Sequence, residues 1–144
     1  MDNRHGLVVD TQVTPATGLA EVDAALIMAE RLPGRRGTLA ADTWYDQRRL
    51  VTEIRRLGFT PHVAQFPTTV HRRSAIDGRT TRHPEYGLSQ RARKRVEEIF
   101  GWMKTVGLLR TLRHRGGRRV EWIFTFTAAV YNLVRMRTLL AAPA

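Results

Sequence analysis

Gly37-Thr-Leu-Ala-Ala-Asp-Thr-Trp-Tyr-Asp46 leads through Leu50, Val51, Ile54 and Leu57 to Gly58 and then Phe59-Thr-Pro-His-Val-Ala64. The small apolar run Gly37–Ala41 reads as a short buried strand that ends at Asp42. Asp46 opens a helix through Leu57, since the four apolar residues share one helical face and Gly58 supplies a C-terminal stop. Phe59–Ala64 reads as the next strand. On the N-terminal side, Gly6–Val13 is β-branched and partly alternating, which predicts an earlier strand. Gly18–Leu32 spaces Leu19, Val22, Leu26 and Ala29 as a helix and is stopped by Pro33 and Gly34. Strand, helix, strand, helix, strand predicts an α/β layer with some parallel pairing.

Beyond Phe66 the periodicity fails until Ser89. Pro, Gly, Thr and Ser alternate there with Arg and His, so residues 66–89 read as a basic loop. Gln90–Val106 is helical, and Arg110–Arg119 is a connector rich in Gly and Arg. Val120–Leu140 is apolar almost all round, the pattern of a helix buried in a core.

The chain has 144 residues, 42% of them apolar, enough for one folded domain rather than a disordered tract. It contains no cysteine, which excludes disulfides and thiolate zinc sites and suits a reducing compartment. No apolar leader opens the chain, and the longest charge-free apolar stretch, Trp122–Val134, is shorter than the roughly 20 residues that span a bilayer. A cytoplasmic, nucleoid-associated protein without membrane contact is the expectation.

The net charge of +11 is unevenly placed. Residues 1–67 carry 8 Arg and 8 acids, for zero, while residues 68–144 carry 14 Arg and 2 Lys against 5 acids. A GC-rich genome accounts for part of the Arg-over-Lys bias but not for one neutral and one basic half. A polyanion, nucleic acid above all, is the partner that this distribution predicts.

Phosphate loops, paired thiols and nucleophile elbows are absent. The five His are scattered, none at i, i+4 spacing to another, which favours ordinary surface positions over a metal site. Carboxylates remain. Asp42 follows its strand at the carboxyl end, where α/β sheets collect ligands and catalytic groups. Asp is also a common N-cap there, although Asp46 is better placed to cap the next helix. On an ideal helix Arg93, Glu97 and Lys104 fall within roughly 40° of one another. Val96, Ile99, Phe100, Met103 and Val106 fill the adjoining apolar arc, with Trp102 on the far side. An ordinary surface Arg–Glu pair gives the same spacing.

These residues resemble the insertion-sequence DDE transposases. Arg93, three residues, Glu97, six residues, Lys104 is similar to their C-terminal signature, and Ala41-Asp-Thr-Trp-Tyr-Asp46 to their second-aspartate motif. Ser74-Ala-Ile-Asp-Gly-Arg-Thr-Thr-Arg-His-Pro84, Glu97-Glu-Ile-Phe-Gly-Trp-Met-Lys104 and Ala128-Ala-Val-Tyr-Asn-Leu-Val134 resemble the type-five insertion-sequence group. Three positions depart from the pattern: Gln90 stands where the signature has Tyr, and Thr43-Trp44 where Lys-Gly is usual. The family's first aspartate would lie upstream of the segment matching Asn3–Val9, and Asp10 belongs to a later strand.

The resemblance implies a ribonuclease-H-like α/β fold, truncated at its N-terminus, with residues 1–144 as the C-terminal part of a catalytic domain. It implies DNA transposition, in which Mg²⁺ or Mn²⁺ held by Asp42 and Glu97 supports nicking and strand transfer at element ends. Arg93 and Lys104 would orient Glu97 or contact phosphate. Arg72, Arg73, Arg79, Arg82, Arg91, Lys94 and Arg95 would grip DNA. Without the first aspartate the chain would be a half-site, inactive alone and completed by a homo-oligomer or by the missing N-terminal half. A non-catalytic DNA-binding remnant or regulator is the main alternative. A basic RNA-binding protein is a weaker one, because aromatic-rich strands for stacking RNA are lacking.

Overall fold

The computed structural model describes residues 1–34, 36–67 and 73–141. Its elements are α1 (Ala20–Arg31), β1 (Gly37–Ala41), a 3₁₀ turn (Thr43–Tyr45), α2 (Arg48–Arg56), β2 (Phe59–Val63), α3 (Gly78–Thr81), α4 (Tyr86–Ala92), α5 (Arg95–Thr105) and α6 (Gly117–Ala141). They form two compact units, one of Gly18–Arg93 and one of Met1–Thr17 with Lys94–Ala144.

The Gly18–Arg93 unit is built on a β–α–β turn. β1 and β2 pair in parallel, Gly37 opposite Phe59 and Ala41 opposite Val63, and Ala64 N–H extends the ladder to the Ala41 carbonyl. The expected strands are both present. So is the helix between them, with Leu50, Val51, Ile54 and Leu57 buried as its spacing predicts. Burying each such side chain contributes about 1.5–3 kcal/mol. Gly58 ends the helix at φ +89, a left-handed conformation that a side chain would strain, and its N–H reaches the Arg55 carbonyl. α1 lays Val22 and Ala29 on the same core, together with Phe59, Val63 and Ile76. Its acids, Glu21 and Asp23, sit in the first turn and Arg31 in the last, each matched to the helix dipole. Pro61 lies within β2, and β2 has a strand neighbour on one side only among the described residues, the position in which proline's missing N–H is tolerated.

Part of the expected basic loop is helical. Asp77 caps the short α3 by accepting from the Arg79 N–H at 3.1 Å, and α4 starts at Tyr86. Residues 68–72 of that loop, Arg72 among them, lie outside the described residues.

In the other unit α5 packs on α6 through Ile99, Met103 and Ala128, with Phe124 and Tyr131 against them. Trp102, expected on the far side, packs in this cluster, its ring centroid 5.5 Å from that of Tyr131. Val96, Phe100 and Val106 from the expected apolar arc are exposed, so the buried stripe is narrower than the spacing predicts. The turn after α5 runs close to α6. A Cβ on Gly107 would stand 2.6 Å from Thr127 Cγ2 and 2.8 Å from the Met103 carbonyl oxygen, so only glycine fits there.

Two further expectations are corrected here. Gly6–Val13 forms no strand, because a strand needs a neighbour to take its peptide groups and a side chain takes them instead. The Asn132 carboxamide accepts from Val8 N–H and donates to the Val8 carbonyl, both at 2.8 Å. Arg95 Nη1 donates to the carbonyls of Asn3 and Arg4, and Arg135 Nε to that of His5. The second correction concerns α6, which forms as expected but is not sunk in a core. Trp122, Phe126, Leu133 and Leu140 remain exposed, because α5 covers only the opposite face.

Candidate functional site

At the carboxyl end of β1 it is Asp42, not Asp46, whose side chain caps the following turn. Asp42 is the exposed cap, its Oδ1 accepting from Trp44 N–H at 2.9 Å at the start of the 3₁₀ turn. Asp46 is not the N-cap of α2, a place taken by Gln47 without a side-chain cap bond. Asp46 is instead fully buried, Oδ2 accepting from Phe66 N–H and Oδ1 from Ala75 N–H, each at 2.8 Å. The 3₁₀ turn inserted after Asp42 rotates Asp46 inward, which ideal helical phase does not reveal. One carboxylate thus faces solvent where a ligand can reach it, and the other ties the two ends of residues 66–75 together.

α4 presents Tyr86, Ser89 and Gln90 to β2. Tyr86 hydroxyl donates to the Val63 carbonyl at 3.0 Å, and Gln90 Nε2 donates to the His62 carbonyl. His62 is buried, with Nδ1 2.7 Å from Ser89 Oγ, its ring 5.2 Å from that of His83, and Nε2 without a partner among the described residues. Burial first, and His83 second, push its pKa below the ordinary 6.5, against a smaller opposing pull from Glu85. A lowered folded-state value means that the unfolded chain binds the proton first as pH falls. The stability contributed by neutral His62 is full above about pH 6.5 and is lost below it. The urea midpoint should therefore decline from pH 7.5 to 5.5, and His62→Gln should flatten that decline. An equal decline in the variant would remove His62 as its source.

Asp77 gathers two guanidinium groups, accepting from Arg79 Nη2 at 2.7 Å and from Arg55 Nη2 at 3.1 Å. The hydrogen bond from Arg79 is the main reason that its carboxyl is lowered to about 2. The cations proposed to grip DNA therefore differ in what already holds them. Arg79 is paired with Asp77, Arg82 Nε donates to the Gly78 carbonyl at 2.9 Å, and Arg95 is spent on Asn3 and Arg4. Arg73, Arg91 and Lys94 are exposed, with no side-chain partner among the described residues.

The expected continuous helix Gln90–Val106 is divided. α4 stops at Ala92, Arg93 Nε donates to Gln90 Oε1 at 3.1 Å, and a tightened turn joins Glu97 N–H to the Lys94 carbonyl. Arg91 and Arg95, like charges one turn apart, disfavour an unbroken helix here. Arg93 consequently belongs with the Gly18–Arg93 unit, while Glu97 and Lys104 lie on α5, so helical phase relates only the latter two. Both are exposed, and Glu97 sits in the first turn, where its charge suits the helix dipole.

Asp42 and Glu97 are hard oxygen donors open to solvent, the chemistry that a small divalent cation takes. Among the described residues no group of three or more His, Cys, Asp or Glu is assembled to hold an ion. The sequence reading missed the burial of Asp46 and the His62–Ser89–Gln90 contacts; Asp46 and Gln90 stand at motif positions, but these contacts follow from tertiary packing.

The chain thus presents a basic half, a solvent-facing aspartate at the end of a parallel strand and an exposed glutamate on a later helix. The family model described as Transposase DDE domain matches residues 1–133, and the chain belongs to that family. The family implies a ribonuclease-H-like fold, a role in transposition, DNA as partner and general use of a divalent metal, and the mixed α/β structure agrees with it. No curated protein and no solved structure matches the chain. Among the described residues no helix is long and apolar enough to cross a membrane.

Proposed function

We propose that the chain works in insertion-sequence transposition, nicking element ends and joining them to target DNA, with Asp42 and Glu97 as two of the acidic ligands of its metal. The family match over residues 1–133 carries this reading, and the place of Asp42 at the carboxyl end of β1 supports it. A bound Mg²⁺ or Mn²⁺ would activate water or a DNA 3′-hydroxyl and stabilise the leaving oxygen. The chain's own part is to hold that ion through carboxylate oxygens and to hold phosphates through Arg93, Lys104, Arg73, Arg82, Arg91 and Lys94. The fit is right in donor type, while among the described residues no group of three acids is assembled. A third acid is needed, supplied by another copy in a homo-oligomer or by a further transposase segment.

Conversion of supercoiled plasmid to nicked circles in Mg²⁺ or Mn²⁺ tests the reading. The chain alone is expected to give no metal-dependent nicking. Robust nicking by the chain alone, lost in both Asp42→Ala and Glu97→Ala, would show that no further acid is required. Nicking unaffected by either substitution would place the chemistry elsewhere.

A further inference from the structure

Among the described residues the densest cluster of unpartnered cations lies not in the loop before α4 but in the connector before α6. Between Arg110 and Arg119 the chain carries five arginines and one histidine in ten residues, with no acid. All of them are exposed, and none of the five guanidinium groups has an ion pair or side-chain hydrogen bond among the described residues. Arg79, Arg82 and Arg95, by contrast, already spend donors inside the fold. Concentrated charge without internal partners binds phosphate with the least to give up.

The first turns of α6 add a second feature. Trp122 is 63% exposed and Phe126 52%, although burying side chains of this size ordinarily contributes about 1.5–3 kcal/mol each. Their rings are stacked, with centroids 5.4 Å apart and planes 7° from parallel. Trp122 also lines a cleft with His114, Arg118 and Arg119. A flat aromatic pair beside phosphate-binding groups has the two parts of a surface for unpaired nucleotides, a π-face for a base and a cationic track for the backbone. Duplex DNA, whose bases are stacked and paired, could use only the second part.

We propose that Arg113, Arg115, Arg118 and Arg119 with the Trp122–Phe126 pair form a binding site for single-stranded DNA. Unpaired bases stack on the aromatic pair and phosphates lie on the arginines. The choice of DNA over other polyanions rests on the transposition reading, whereas the stacking site rests on α6 itself.

The intact chain is titrated with a labelled thymine-rich single strand, its RNA counterpart and a duplex of equal length, at several salt concentrations. Trp122→Ala should weaken single-strand binding about 10- to 100-fold, the worth of one stacked base, with duplex binding changed less than about twofold. Trp122→Phe should restore most of the loss. Replacing Arg113, Arg115, Arg118 and Arg119 by Ala should weaken both DNA ligands and flatten the salt dependence, by about 0.7 per contact for the single strand. Trp122 is exposed, so these variants should keep the wild-type unfolding curve. Equal losses for single strand and duplex, no loss in Trp122→Ala, or tighter binding of the RNA strand would each overturn the proposal. Failure of the wild-type chain to bind any DNA would sink the transposition reading as well, whereas duplex binding indifferent to Trp122 would sink only the stacking site.

Discussion

Asp46→Ala is expected to cost the Gly18–Arg93 unit about 2–6 kcal/mol. The substitution removes the carboxylate that accepts from the half-buried N–H groups of Phe66 and Ala75, at about 1–3 kcal/mol each. Intact domains hold only about 5–15 kcal/mol, so the variant should lie near the edge of folding. Asp46→Asn keeps one carboxamide oxygen as an acceptor and should lose roughly half as much. Asp42→Ala, which removes an exposed cap on a 3₁₀ turn, should cost about 1 kcal/mol. Urea unfolding of the three variants measures the order, and amide exchange at Phe66 and Ala75 reports the site directly. Equal losses for Asp46→Ala and Asp42→Ala would show that the buried carboxylate does not anchor the 66–75 segment.

DNA affinity is expected to be the property most sensitive to salt. With the whole excess of +11 beyond residue 67, a footprint of six or more phosphates would lose about 10³-fold or more in affinity between 50 and 200 mM salt. Replacing Arg72, Arg73, Arg79 and Arg82 together should flatten the slope of log K against log salt by about 0.9 for each duplex contact removed. Arg79→Ala alone should change the slope least, because Asp77 already balances that charge. Binding of labelled duplex at four or five salt concentrations measures each slope. An unchanged slope in the quadruple variant would move the DNA path away from this segment.

Where periodicity alone governs local structure, the sequence was legible. Leu50, Val51, Ile54 and Leu57 mark α2, Gly58 marks its end, and the runs Gly37–Ala41 and Phe59–Val63 are the two strands. Legibility failed where a partner decides the outcome. Gly6–Val13 has strand chemistry but finds the carboxamide of Asn132 in place of a neighbouring strand. The apolar girth of α6 predicts burial, yet the described residues supply cover on one face only. At the candidate site the motif singled out Asp42 and Glu97, which the structure leaves exposed, but ideal phase placed Arg93 on the helix of Glu97, and a single tightened turn undoes that. The distinction between Asp42 and Asp46 depends on a 3₁₀ turn of three residues, too short to leave a periodic signal.

We propose above all that Asp42 and Glu97 both act as acidic ligands of the metal. Fe²⁺ substituted for Mg²⁺, with ascorbate and peroxide, generates hydroxyl radical at the bound ion and cuts the backbone beside its ligands. Fragments should end next to both Asp42 and Glu97. Both cuts should fade with excess Mg²⁺, and both should vanish in Asp42→Asn alone and in Glu97→Gln alone. Cutting beside one of the two residues only, or cutting elsewhere that survives both substitutions, would contradict the account.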